Sequence, residues 1–470
     1  MDFRKSSVES LVADIRLRRM SVREVTQRAL ANIEDLNKKL NAFCAVNPVD
    51  ALAQADALDA RLKKGDPVGP LVGVPLGVKD LEDARGYVTT YGSQLNINNP
   101  KATEDSVQVA RLRAAGCVIV GKTNTPEYGH KGVTDNLPFG FTRNPWNTDY
   151  SAGGSSGGSS AAIASGMVPL ATGSDGGGSI RLPSSACGFT GFKASQGRVP
   201  LGGSSPAGAG VLAVRGPMAL RAGDIALALD ALTGDEATDI FGLPHPGCSL
   251  RAALDADNRP AAVIWSPTMG FGEVDAEVLA TCEAFIERLE SEGVKVIRRE
   301  RVFDKDPNGQ WFVLWATYRA RAQEHLRGTA QWELIDPSLR AMVDYGLKVS
   351  GIEFVRALDA CHTLNVDLEA VLRDAPLILS PTLAGQVPKK GAGGGLLNGR
   401  ESTAWVTFTP AINMTRNPAG TVNVGFRSTG MPVGLQVIGR QRDDLRVLKT
   451  LAYFESLAGL ANAAPVGVKD

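Results

Sequence analysis

With 470 residues, 43% of them hydrophobic, the chain can bury a large core; length alone suggests two or three domains, a prior that large α/β enzymes often defy. Fifty Lys and Arg offset fifty Asp and Glu, which excludes a global field favouring nucleic acid or an anionic membrane. No run of about 18 apolar residues occurs, Met1 to Ser7 form no apolar leader, and six scattered cysteines make no CxxC pair, so the expectation is a cytoplasmic protein with reduced thiols, no membrane span and no zinc site.

In chain order, residues 1–65 are expected to be helical. Ser6 with Glu9 and Ser21 with Glu24 each match a capping box, and Val22, Val25, Ala29, Ile33 and Leu36 recur at helical spacing. The Gly/Pro-rich stretch 65–70 ends this segment. From 66 to 300 short apolar runs alternate with helical patterns: strands at 74–78, 117–120, 261–265 and 294–297, helices at 106–115 and 274–292. Residues 302–375 read as a mostly helical region carrying Trp311, Trp315, Tyr318 and Trp332. Strand patterns return at 376–379 and 432–438, and a helix over 443–457 closes the chain. Such alternation predicts a largely parallel or mixed sheet covered by helices on both faces. Residues 389–399 are too glycine-rich for a stable element and read either as a solvated loop or as a mobile lid over a pocket.

Three motif matches do not survive their physical context. Gly116 to Thr123 fits GxxxxGKT, but four strand-forming apolar residues stand where a flexible loop is needed, and Pro126 follows where a helix should run. Residues 208–213 resemble a dinucleotide fingerprint, yet Ser204-Ser205-Pro206 precedes them instead of a strand. Gly153 to Gly157 fits GxSxG, which requires an acid and then a histidine downstream. His245 lies between prolines, His325 and His362 lie in helical patterns, and His130 is upstream, so a hydrolase with a base other than histidine explains the composition better.

The chemistry-bearing stretch is 153–181. Two serine clusters sit among glycines on either side of the apolar segment 161–171, which a flexible linker would not enclose. Three glycines before Ser179 can aim successive N–H groups at one point, an anion cradle beside a hydroxyl, and that pairing suits acyl transfer. A base is available at Lys79, at the C-terminal end of an apolar strand, with Gly77 leaving room beside it. It must shed a proton near neutral pH, which burial can bring about at roughly 1.4 kcal/mol per pKa unit.

Pro75 to Asp80, Gly121 to Asn124, the stretch 153–193 and Gly430 to Gly439 together resemble the amidase signature family, over nearly the whole chain. The resemblance implies one α/β/α domain over 1–470: a large, mixed, mostly parallel twisted sheet covered by helices, with a cap region at 302–375 and a return to the sheet at 376–470. It implies a Ser–cis-Ser–Lys triad, with Ser179 as nucleophile, Ser155 as bridge after a cis peptide at Gly154, and Lys79 as base. The backbone N–H groups of Gly176, Gly177, Gly178 and Ser179 would stabilise the oxyanion, and Asp175 and Arg181 would pin the glycine loops. Ser156, Ser159, Ser160 and Ser174 are expected in turns, caps and loop hydrogen bonds.

Family members line the acyl pocket just before the signature, which here points to Tyr128, Gly129, His130 and Phe139. With Trp311 and Trp315 these rings suggest a bulky or aromatic substrate, unless they are core. The implied activity is hydrolysis of hydrophobic or aryl amides, and of carbamates (urethanes) or esters by the same tetrahedral chemistry. The spelling Asp-Gly-Gly-Gly-Ser at 175–179 looks more like stand-alone amidases, among them aryl acylamidases, nylon-oligomer hydrolases and urethanases. The alternative is the glutaminase component of an amidotransferase, delivering ammonia to a partner; a non-catalytic binding protein is a third reading. The implied mechanism needs no cofactor or metal and no nucleic-acid or membrane partner, and the sequence leaves oligomeric state open, a homodimer included.

Overall fold

The computed structural model describes residues 1–203, 208–460 and 464–468, so Ser204, Ser205 and Pro206, which bear on the fingerprint match, lie outside the described residues. Helices α1 (Val8–Arg16) and α2 (Val22–Leu40) open the chain. Ser21 and Glu24 form the expected reciprocal capping box on α2. The box expected at Ser6 is displaced by one residue: Ser7 caps α1 by accepting from the Ser10 N–H. A short strand β1 (Phe43–Val46) follows inside the region expected to be helical, before α3 (Pro48–Lys64).

Two sheets carry the core. The first takes β1, β2 (Pro75–Lys79), β3 (Val118–Thr123), β4 (Leu170–Asp175) and β6 (Val214–Ala219) in the order β1-β3-β2-β4-β6. The second takes β5 (Gly191–Lys193), β7 (Ala262–Trp265), β8 (Lys295–Arg298), β9 (Leu377–Pro381), β12 (Ala419–Phe426) and β13 (Pro432–Gly439) in the order β5-β12-β13-β9-β7-β8. They meet where Gly216 of β6 approaches the Phe192 carbonyl of β5. The mixed character is as expected, but the parallel share is lower: in these two sheets four pairings are parallel and five antiparallel among the described residues. One of the five has a local cause, since the five-residue loop 427–431 joins β12 to β13 and makes them pair antiparallel.

Helices flank the sheets, among them α4 (Val107–Ala114) and α6 (Arg181–Ala186). The main hydrophobic cluster joins residues of α2, both sheets and the helices α5 (Gly157–Ala164), α7 (Ala222–Leu232), α8 (Ala276–Ser291) and α13 (Asp444–Ala458). The stretch matching GxxxxGKT is buried strand β3, with no phosphate loop. Residues 302–375 form the expected helical region, chiefly α9 (Asn308–Gln323), α10 (Pro337–Gly346) and α11 (Gly351–Val371). The glycine-rich stretch at 389–399 differs from expectation, because β10 (Gly395–Leu397) pairs with β11 (Arg400–Ser402) as a β-hairpin. Lys390 N–H donates to the Asp149 carbonyl and Asn398 N–H to Asp275, so the segment is tied down beside 149 and 275.

For the site, the first sheet matters most. Strands β2, β3 and β4 run parallel, with Lys79 opposite Thr123 and Leu76 opposite Leu170. Their C-terminal ends therefore lie along one edge, where open α/β sheets place ligands. Helix α5 follows Ser155 and is buried on every side. A Cβ at its Gly158 would stand 2.3 Å from the Asn124 nitrogen, so only glycine lets the helix press onto the end of β3.

Candidate active site

Strand β2 ends on Lys79, whose side chain is wholly buried. Its Nζ lies 2.8 Å from Ser155 Oγ, 2.8 Å from Ser156 Oγ and 3.0 Å from Ser174 Oγ. The Lys79 N–H donates to Thr172 Oγ1 on β4 at 2.9 Å, fixing the strand end from which the side chain departs. Burial lowers the ammonium from the ordinary 10.5 to about 7; Glu82 and Asp175 oppose the shift, and Arg215 adds to it. A large share of this amine is therefore uncharged at neutral pH.

A neutral amine has two N–H donors and one lone pair. Ser156 donates its own proton to the Ser174 carbonyl at 3.3 Å, so its oxygen can only accept from Lys79. The lone pair is left for Ser155 or Ser174, which both border the cavity that contains Ser179; Ser155 is the nearer of the two. The peptide Gly154–Ser155 is cis. Ser179 sits 9% exposed in the cavity wall, and no hydrogen bond joins it to Ser155 among the described residues.

The loop between Asp175 and Ser179 is held by its carbonyls. Asn413 Nδ2 donates to the Asp175 carbonyl at 2.9 Å, Trp311 Nε1 to that of Gly176 at 2.9 Å, and Thr409 Oγ1 to that of Gly177 at 2.7 Å. In a trans peptide the N–H points opposite to the C=O, so the Gly176 and Gly177 N–H groups turn away from these anchors. They and the Ser179 N–H have no hydrogen-bond partner among the described residues. Gly178 departs from expectation: with φ 128° its N–H folds back onto Asp175 Oδ1 at 2.7 Å and is not free to hold an oxyanion. A Cβ on Gly177 would stand 2.4 Å from the Trp311 ring and one on Gly176 2.6 Å from Trp315, so the indoles close directly onto bare backbone.

Asp175 and Arg181 are both fully buried and meet at 3.0 Å through two nitrogens. Arg181 also donates to Gln436 Oε1, Asn413 Oδ1 and the Thr409 carbonyl. Burial alone would raise the Asp175 carboxyl, but Arg181, Lys193 and Asn413 overcome it and hold the group well below the carboxylate range. Through this pair the glycine loop is tied to the second sheet and to helix α12 (Pro410–Met414).

Two cavities meet at Ser179. The wider, about 690 Å³, is bordered by Tyr91, Asn96, Tyr128, Ser155, Gly176 and Arg215 among others. The narrower, about 520 Å³, is bordered by Gly177, Leu182, Trp311, Phe312, Val406 and Pro410 among others. Ser179, Gly129 and Trp315 line both. Trp311 and Trp315 stack with centroids 5.4 Å apart, and Arg319 lies 4.6 Å over the Trp315 ring.

Of the pocket residues read from sequence, Tyr128 and Gly129 border the wider cavity, and Gly129 and His130 the narrower. Phe139 borders neither. Its carbonyl accepts from Asn41 Nδ2 at 2.7 Å, which holds that turn against the end of α2. His130 Nδ1 donates to the Glu127 carbonyl at 2.7 Å, and its Nε2 lies 2.7 Å from Ser338 Oγ. Burial, with Lys131 adding, pushes the imidazole down to about 4 and so keeps it neutral. The sequence places Ser156 and Ser174 in turns, caps and loop hydrogen bonds. Ser156 does stand at the N-cap of α5 and bonds the Ser174 carbonyl, and both hydroxyls also hydrogen-bond the Lys79 amine, which the sequence does not reveal.

The description "Amidase" names the family model that matches residues 24–448. The chain is 35% identical over 471 residues to an acylamidase of Rhodococcus erythropolis, covering 98% of this chain and 97% of that one. It superposes on a crystal structure of a bacterial aryl acylamidase of the amidase signature family with TM-score 0.91 and 28% identity, covering 99% of both chains. It is 31% identical to a glutamyl-tRNA(Gln) amidotransferase component of Chloroflexus aggregans, over 91% of each chain. The chain belongs to the amidase family. It is an amide hydrolase.

Proposed function

We propose that this chain cleaves amides through an acyl-enzyme on Ser179, with Ser155 and Lys79 as its proton relay. The observation that carries the reading is the buried Lys79 amine, lowered to about 7 and 2.8 Å from Ser155 Oγ. Neutral Lys79 takes the Ser155 proton as Ser155 takes that of Ser179, and the Ser179 oxygen attacks the carbonyl carbon. The N–H groups of Gly176, Gly177 and Ser179 hold the oxyanion, with Asp175 and Arg181 keeping the loop in shape. The proton returns through Ser155 to the leaving nitrogen, the C–N bond breaks, and water releases the acyl group by the same relay.

Hydrophobic or aryl amides are the substrates this reading favours. The paired tryptophans at Ser179 support it, as does likeness to an acylamidase and an aryl acylamidase. Carbamates and esters present the same carbonyl geometry and are expected side activities. Six unpaired cysteines favour a reducing, cytoplasmic setting. The amidotransferase likeness supports a second reading, glutamine hydrolysis for a partner chain.

Mass spectrometry of the purified chain with an aryl amide should find the acyl group on the Ser179 peptide, and Ser179→Ala should lose both adduct and turnover. Glutamine hydrolysis without aryl-amide hydrolysis would favour the second reading.

A further inference from the structure

A carbonyl seated at Ser179 has two substituents, and Ser179 stands where two cavities meet. Which half of the substrate enters which cavity follows from the route of the proton, an argument that rests on the relay proposed above. The nitrogen that leaves must be reached by the group that protonates it. That group is Ser155, which borders the wider cavity and not the narrower one. We infer that the amine half of the substrate occupies the wider cavity, and that the acyl half, an apolar aromatic group, occupies the narrower tryptophan chamber.

The two linings agree with this division. The chamber is walled by Leu182, Trp311, Phe312, Val406 and Pro410, surfaces that reward an apolar planar group, with the exposed Asp306 carboxylate at its border. Its size lies within the range of about 300–1,000 Å³ typical of small-molecule sites. Lys131 at its border is engaged by Asp135 at 2.7 Å and Asp336 at 2.9 Å, so it offers no unpaired cation to an acyl carboxylate. The wider cavity mixes Asn96 and the Glu82–Arg215 pair, 3.6 Å apart, with the apolar Leu95 and Leu326, so it accepts an amine half of either polarity. Aromatic selectivity therefore falls on the acyl side of the scissile bond.

The test crosses two substrate series with two variants. One series varies the acyl group (acetyl, butyryl, phenylacetyl) on a constant nitroaniline. The other holds phenylacetyl constant and varies the amine. Val406→Trp fills the chamber and should lower the phenylacetyl-to-acetyl ratio of kcat/KM by about tenfold or more, with ratios among amines kept within about twofold. Leu95→Trp, in the wider cavity, should do the converse. Ala404→Phe at the chamber mouth serves if Val406→Trp does not fold. Amine ratios that follow Val406→Trp, or acyl ratios that stay put in both chamber variants, overturn the assignment. The acylated Ser179 peptide separates the two claims: its absence removes the relay reading, whereas its presence with reversed ratios removes only the division of the cavities.

Discussion

Lys79 Nζ and Ser155 Oγ lie 2.8 Å apart, in a setting where burial has lowered the lysine to about 7. A lysine here can take a proton from a hydroxyl at neutral pH, which a solvated lysine near 10.4 does not. In the relay proposed above an amine takes the place of histidine; His130, at the narrower cavity, is held neutral by burial, and His325 borders the wider one.

The pH profile should carry that signature. The folded Lys79 is protonated below about 7 and neutral above it. The rate constant kcat/KM for an anilide should climb about tenfold per pH unit up to 7 and level off beyond. An ascending limb near pH 4 would point to His130 instead.

Stability should rise with pH in a higher window than activity does. The folded pKa of Lys79 lies below that of a free lysine, so between about 7 and 10.5 the unfolded chain binds the extra proton and stability rises with pH. The burial cost is greatest below pH 7. Lys79→Met removes it, offset by about 1 kcal/mol for each of three serines that lose a partner. The variant should be inactive yet more stable than wild type by about 2 kcal/mol at pH 6, with the gain gone by about pH 8–9 and reversed at pH 10. Urea titrations at both pH values check this, and a larger gain at pH 10 contradicts it.

Ser156→Ala deletes an acceptor that orients the Lys79 amine without touching substrate. One hydrogen bond is worth about 1–1.5 kcal/mol, so kcat should fall roughly tenfold with KM little changed. A rise in KM alone would place Ser156 against the substrate.

Asp175→Asn breaks a fully buried ion pair. Removing one partner leaves the Arg181 charge uncompensated, at about 3–5 kcal/mol. Denaturant midpoints should drop accordingly, and activity should fall with them because the glycine loop loses its anchor. A loss under about 1 kcal/mol would mean that the loop is held by other contacts.

Gly177→Ala places a methyl 2.4 Å from the Trp311 ring. The indole must move, and with it the hydrogen bond that fixes the Gly176 carbonyl. Turnover should fall about a hundredfold, since one misaimed oxyanion donor costs that much. Anilide kinetics alongside a thermal melt separate this from unfolding.

Much of this site could be read from residue order, because its parts are contiguous motifs. The apolar run ending at Lys79 is β2, and the strand-forming residues inside Gly116 to Thr123 rightly outweigh the phosphate-loop match. What escaped depends on distant partners or on one side-chain hydrogen bond. β1 is four residues long and exists because Phe43 to Val46 pair with Gly121 to Thr123. β12 reads Ala-Gly-Thr-Val-Asn-Val-Gly-Phe, too mixed to alternate cleanly, yet it lies between β5 and β13. The Gly178 N–H is taken by the Asp175 carboxylate three residues back, which the spelling Gly-Gly-Gly does not reveal. Asn413, Thr409 and Gln436 support the glycine loop from more than 200 residues away; Gln436 lies in the Gly430 to Gly439 motif, but nothing local marks Asn413 and Thr409.

The most direct measurement is an NMR titration of the Lys79 side-chain nitrogen in isotope-labelled protein, its signal assigned by its loss in Lys79→Arg. A midpoint near 7 is the predicted result. A midpoint in the ordinary lysine range near 10.5 would leave Ser155 facing a charged ammonium and would remove Lys79 as the base.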